Sequence, residues 1–124
     1  MKPLRVLIVE DQSDLRLLVR LALEPLQPEF MELADGMAAL AAVRSFKPDL
    51  LLLDVMLPGG VDGYQVCRAI KQDPLTRAIK VVMVSARGQT GDIEAGRQAL
   101  ADRYVVKPFS PLALLDEVRS CLSD

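Results

Sequence analysis

The sequence predicts an α/β domain in which five parallel strands form one sheet, doubly wound so that helices cover both faces in three layers. Apolar stretches of strand length alternate along the chain with stretches whose apolar residues recur at helical spacing. Leu50 to Leu53 is apolar at every position, as a central strand covered on both faces must be. Strands joined by helices return in parallel through right-handed crossovers, and that closes only as a layered sheet. At 124 residues, 51% of them hydrophobic, the chain has the size and composition of a single domain over residues 1–124 with a substantial core.

Each element follows in order. Leu4 to Val9 is the first strand. Leu15, Leu18, Val19, Ala22 and Leu23 then fall at i, i+3, i+4, i+7 and i+8, an amphipathic helix closed near Glu24 by Pro25. Phe30 to Leu33 is a short second strand. Asp35-Gly36 predicts a turn, after which Ala39, Leu40, Val43 and Phe46 line a second helix that stops before Pro48. The third strand, Leu50 to Leu53, precedes a third helix from Tyr64 to Gln72, ended near Asp73-Pro74. Lys80 to Ser85 is the fourth strand, Asp92 to Ala101 the fourth helix and Tyr104 to Val106 the fifth strand. Ser110 is an N-cap with Pro111 at the first helical position, and Leu112, Leu115, Val118 and Leu122 form the stripe that the fifth helix should bury.

Composition excludes several classes of function. A net charge of -2 and a pI near 5.1, with the 15 basic residues scattered, leave no nucleic-acid footprint. No apolar run approaches the ~18 residues of a membrane span, and the first apolar stretch meets Glu10-Asp11 too early for a signal-peptide core. A cytoplasmic protein is the expectation. Cys67 and Cys121 lie on predicted helices without metal-ligand spacing, which marks them as reduced packing residues.

The chemistry gathers at strand ends. The first strand runs into Glu10-Asp11, the third into Asp54, the fourth into Ser85 and the fifth into Lys107. In an open parallel sheet these C-terminal ends share the edge where ligands bind. Two carboxylates about 4 Å apart repel by roughly 4 kcal/mol at an effective dielectric near 20. A divalent cation held by oxygen ligands relieves that repulsion, and Mg²⁺ suits a site that leaves positions for water and phosphate oxygens. Lys107 adds a fixed positive charge. With no histidine in the chain, a serine-histidine triad and a histidine general base are excluded. The remaining nucleophile candidate is a carboxylate, and Asp54, at the end of the most apolar strand, is best placed to form an aspartyl phosphate.

Taken together, Glu10-Asp11, Asp54 with Pro58 four residues on, Val84-Ser85-Ala86 and the run from Tyr104 to Phe109 make the chain resemble, over essentially its whole length, the receiver domain of a two-component response regulator. The resemblance implies the flavodoxin-like (βα)5 receiver fold and a signalling switch without turnover activity of its own. It implies that Asp54 accepts a phosphoryl group from a sensor histidine kinase or histidine phosphotransfer protein. Mg²⁺ would be held by Glu10, Asp11, Asp54 and the backbone carbonyl of Met56. Lys107 would contact the phosphoryl oxygens, Ser85 would bond to them once in place, and Tyr104 would be the aromatic switch. The Lys107-Pro108 bond would be cis. The output surface would be the face of the fourth helix, fifth strand and fifth helix, presented to a downstream protein or to a second copy of the chain. Met56 and Arg87 stand at positions that tune phosphate lifetime.

Two departures from the family pattern stand out. The loop from Pro58 to Gly63 is one residue longer than usual, and Leu100 stands where a glycine commonly precedes the Ala101-Asp102 pair. Rival readings are weaker. A dehalogenase-type phosphatase wants a second aspartate where this chain has Met56, and a flavin binder would not place Glu10-Asp11 against a phosphate monoester. The alternative that survives is a pseudo-receiver, an interaction module that works without phosphorylation.

Overall fold

A computed structural model describes residues 2–124. Its elements are β1 (Arg5–Val9), α1 (Ser13–Leu23), β2 (Glu29–Leu33), α2 (Gly36–Phe46), β3 (Leu50–Leu53), α3 (Gly63–Gln72), β4 (Lys80–Ser85), α4 (Thr90–Gln98), β5 (Arg103–Val106) and α5 (Pro111–Ser123). All strand pairs are parallel, in the order β2-β1-β3-β4-β5. The direction of winding reverses between β1 and β3, and at such a switch point the loops leave in opposite directions and open a crevice.

Alternate residues of each strand feed two cores. Leu7, Val9, Leu51, Leu53, Val81 and Met83 pack with Ala39 and Val43 of α2 and Val66 and Ile70 of α3. Val6, Ile8, Leu50, Leu52, Val82 and Val84 pack with Val19 and Leu23 of α1 and Leu114 and Val118 of α5. This period-two partition is why β3 is apolar throughout. Cys67 and Cys121 are fully buried free thiols, and the Cys67 thiol donates to the Ala99 carbonyl.

Several elements differ from the sequence expectation. Pro25 does not end the helical path; it sits at the start of a 3₁₀ turn, Glu24–Leu26, where its missing N–H costs nothing, and the chain leaves through Gln27 in the left-handed region. Asp35 is an N-cap whose side chain accepts from the Ala38 amide, and Gly36 is already helical. Helix α4 stops at Gln98, three residues before the expected end at Ala101. Leu100 takes φ 70°, the position a glycine would take, and the Ala101 amide returns to the Gly96 carbonyl at 3.1 Å. The stripe of α5 is also rotated: Leu114, Leu115, Val118 and Cys121 are buried while Leu112 is 66% exposed and Leu122 half-buried. At ~100° per residue, Leu112 lies about 120° from Val118.

The longer loop after β3 is absorbed by two consecutive left-handed residues, Gly59 at φ 89° and Gly60 at φ 82°. The helix beyond it therefore starts where it must. Asp62 and Gln65 form a reciprocal capping box, and the Gly63 amide donates to the Val55 carbonyl at 2.9 Å. A Cβ at Gly63 would overlap the Asp54 carbonyl oxygen and lie 2.8 Å from Val55 Cα. Nothing lies within 4 Å of a Cβ at Gly91. Gly63→Ala is expected to destabilise by about 3 kcal/mol, because backbone cannot yield cheaply, while Gly91→Ala is neutral or stabilising by about 0.5 kcal/mol. Urea unfolding of the two variants checks the contrast.

Candidate functional site

Register brings the predicted residues to one edge. Val9 pairs with Leu53, so Glu10 and Asp54 leave adjacent strands side by side. Ser85 pairs with Val106, and the Lys107 amide donates to the Ser85 carbonyl at 2.8 Å, carrying the β4–β5 ladder up to the site. The Lys107-Pro108 bond is cis, as the resemblance implies.

Glu10 and Asp54 are only 4% and 7% exposed, and Ser85 is fully buried. Lys107 Nζ lies between the two carboxylates, donating to Glu10 Oε1 at 2.6 Å and to Asp54 Oδ2 at 3.1 Å. One carboxylate oxygen from each of Glu10, Asp11 and Asp54 falls within 4.8 Å of the others, with Asp11 exposed toward solvent. Backbone amides steady the other oxygens: Met56 N donates to Asp54 Oδ1 and Gln12 N to Glu10 Oε2, both at 3.3 Å. Such an oxygen-only group could hold a metal ion.

Burial is the main force on Glu10 and pushes its pKa to about 7; the Lys107 ammonium opposes the rise, and Asp11 and Asp54 add to it. For Lys107, burial alone would lower the pKa. The hydrogen bond to Glu10 and the Asp54 charge outweigh it, and the net shift is upward. The ammonium therefore stays charged, and Glu10 holds a proton more readily than an ordinary glutamate does.

Two expected participants sit apart from the carboxylates. The Ser85 hydroxyl accepts from the Arg87 amide at 3.2 Å, and no hydrogen bond among the described residues joins it to Asp54. Tyr104 lies on the α4 side, where a Cβ at Gly96 would come 2.7 Å from its ring, and its hydroxyl donates to the Arg87 carbonyl at 2.6 Å. The serine and the tyrosine thus meet through the backbone of one residue, Arg87.

Sequence reasoning missed Arg16. Its guanidinium donates to the Glu10 carbonyl at 2.6 Å and pairs with Glu32 at 3.6 Å, bracing the turn that carries Glu10 and Asp11. A cation six residues past Glu10, on the first turns of a helix pointing back at it, was the available signal. Tyr64 was missed as well: its hydroxyl donates to the Asp92 carbonyl at 2.9 Å and stands 3.4 Å from that of Tyr104.

A doubly wound parallel sheet that collects three carboxylates and an ammonium at its C-terminal edge belongs to the class of α/β proteins that bind ligands at a switch point. Comparison with known proteins narrows the class. The profile of the response regulator receiver domain matches residues 6–119, and the chain belongs to that family. It is 38% identical over 118 residues to the DNA-binding response regulator MtrA of Mycobacterium tuberculosis, covering 95% of this chain and 50% of that protein. It is 38% identical over 117 residues to the phosphate regulon transcriptional regulatory protein PhoB of Pseudomonas aeruginosa, covering 94% and 51%. The chain thus spans about half the length of these curated relatives. Among solved structures, a putative response regulator from Chloroflexus aurantiacus superposes with a TM-score of 0.92 at 36% identity, covering 99% of this chain and 100% of that one. The BeF3-activated DrrB receiver domain gives 0.88 at 28% identity, with 99% and 100% covered. No helix among the described residues is long and apolar enough to cross a membrane.

The raised Glu10 pKa has a sign. The folded chain keeps a proton there that the unfolded chain releases, so this contribution to stability is complete below the ordinary value of 4.5 and is lost as pH rises through about 7. In chelator, Glu10→Gln should flatten the decline in unfolding free energy between about pH 4.5 and pH 7, by no more than about 3 kcal/mol. Urea unfolding of both proteins across that window measures the difference.

Proposed function

We propose that Asp54 is the phosphoryl acceptor of this receiver domain and that a sensor histidine kinase or histidine phosphotransfer protein is the donor. The observation that carries the reading is the Lys107 ammonium bridging Glu10 and Asp54 at the aligned ends of β1, β3 and β5. A carboxylate so placed is buried, oriented and open to attack a phosphorus atom in line. An Asp54 carboxylate oxygen bonds to phosphorus as the phosphorus–nitrogen bond of the donor phosphohistidine breaks, its electron pair returning to the imidazole.

The donor set suits Mg²⁺, a hard cation that takes oxygen ligands and keeps waters: two buried carboxylates face an exposed one, with no sulfur or nitrogen ligand in the group. Glu10, Asp11, Asp54 and the Met56 carbonyl would hold it. When bound, it neutralises charge on the phosphoryl oxygens. Lys107 holds the same oxygens from the other side. The Ser85 hydroxyl, which has its hydrogen free while accepting from the Arg87 amide, then donates to the phosphoryl group. Because Arg87 also accepts from Tyr104, a shift of Ser85 moves the loop to which Tyr104 is attached.

The product is an acyl phosphate that changes the population of two states of one protein; no turnover of a separate substrate is part of this reading. The output leaves through the face of α4, β5 and α5, toward a downstream protein or a second copy. The site of action is the cytoplasm, where histidine kinases present their phosphohistidine.

Intact mass after incubation with acetyl phosphate tests the reading. One added phosphoryl group is expected, needing both Mg²⁺ and Asp54 and absent from Asp54→Asn. A folded protein that takes no phosphoryl group under any condition would instead be a pseudo-receiver. Lys107→Ala should still bind Mg²⁺ but acquire the mass about a hundredfold more slowly, as when one charge-stabilising donor is removed from a transition state. Arg87 is exposed beside the site, and Arg87→Ala should shorten the half-life of the phosphorylated form, followed by the same mass measurement after the donor is removed.

A further inference from the structure

Tyr64 and Tyr104 bring their hydroxyls to 3.4 Å at the seam between α3 and α4. Each hydroxyl has one hydrogen. That of Tyr64 is committed to the Asp92 carbonyl at 2.9 Å and that of Tyr104 to the Arg87 carbonyl at 2.6 Å. The two oxygens therefore face each other without a hydrogen between them. Tyr64 still has a free lone pair, 3.4 Å from the Tyr104 oxygen, which can accept from Tyr104 if the Arg87 carbonyl moves away.

The position of Tyr64 in the chain gives this arrangement a reach. It follows Gly63, whose backbone lies so close to Asp54 that no Cβ fits between them. The same side chain thus stands one residue from the acceptor strand and touches the first turn of α4. Burial and the neighbouring Tyr104 hydroxyl push the Tyr64 phenol above its ordinary pKa, so the hydroxyl keeps its hydrogen across the physiological range.

We propose that Tyr64 is a positioning residue for the switch: its hydroxyl oxygen offers Tyr104 a second acceptor, and that choice sets the balance between a loop-held and a loop-released state. The proposal rests on the reading of Asp54 as acceptor and Tyr104 as switch. The loop-held state is the one in the structure, with Arg87 N on Ser85 Oγ and Tyr104 on the Arg87 carbonyl. A phosphoryl group that draws Ser85 favours it. Tyr64 favours the alternative.

Tyr64→Phe keeps the ring and removes only the oxygen, so the packing of α3 is preserved. The Tyr104 hydroxyl is then left with Arg87 alone. The test is a double-mutant cycle over Tyr64→Phe and Tyr104→Phe, with the full chain titrated with beryllofluoride at fixed Mg²⁺ and binding followed by the rise in melting temperature. Tyr64→Phe should tighten apparent beryllofluoride binding by about threefold to tenfold, the size of one neutral hydrogen bond. In the Tyr104→Phe background the same change should do nothing. An equal effect in both backgrounds would mean that Tyr64 acts only through Asp92, and no effect or a weakening would equally overturn the proposal. The same cycle on melting in chelator separates the two readings. If the wild type takes up no beryllofluoride while the hydroxyls remain coupled in melting, the acceptor reading of Asp54 fails and the Tyr64–Tyr104 pairing stands; a wild type that binds with an additive cycle overturns the pairing alone.

Discussion

The ammonium of Lys107 between two buried carboxylates is the constraint on which the rest of this edge depends. Neither Glu10 nor Asp54 can be held charged and dry without it, since an unpaired buried charge costs several kcal/mol. Lys107 does not balance the site, because three carboxylates face a single ammonium. Burial is the main cause of the rise of the Glu10 pKa to about 7, and the neighbouring Asp11 and Asp54 carboxylates add to it. Such an edge could accept a cation among its three carboxylates, on the side away from the Lys107 ammonium's own pairs.

That arrangement fixes what the surrounding fold must do. Parallel register places Val9 against Leu53 and Ser85 against Val106, so four strand ends arrive at comparable height. The turn after β1 is braced by Arg16 on the Glu10 carbonyl, and the loop after β3 is returned by Gly59 and Gly60 to an α3 that packs directly on the backbone of Asp54. The longer loop is therefore a detour on the solvent side, through exposed Pro58, Gly59 and Gly60.

What the sequence showed and what it hid divide along a physical line. Strands were legible because burial on one or both faces writes itself into neighbouring residues: Leu50 to Leu53 and Lys80 to Ser85 are found where the apolar runs place them. Caps were legible for the same local reason, as at Ser110, whose hydroxyl accepts from the Ala113 amide. The four charged site residues were legible because each ends a strand. Long-range choices were not. Leu100 adopts a conformation that its side chain disfavours, which no propensity foretells, and the phase of α5 follows from packing against α1. Arg16 on Glu10 and Tyr64 on Asp92 join residues whose side chains have common surface explanations until the fold brings them together.

Helix α4 shows why that last class matters for function. Among its residues only Gly96 is buried, so the helix has no apolar stripe of its own with which to dock. Its place is set from outside, by the Tyr104 ring against Gly96, by the Tyr64 hydroxyl on Asp92 and by the Ala99 cap in the core. An element held by a few neighbours at its edges has a low local stability and answers to small changes in those neighbours. Helices α1 and α5, in the core on the other face of the sheet and locked together through Val19, Leu23, Leu114 and Val118, do not share that freedom. The position of α4 therefore depends on a few contacts at its edges, each about as strong as one hydrogen bond, and not on a buried apolar face.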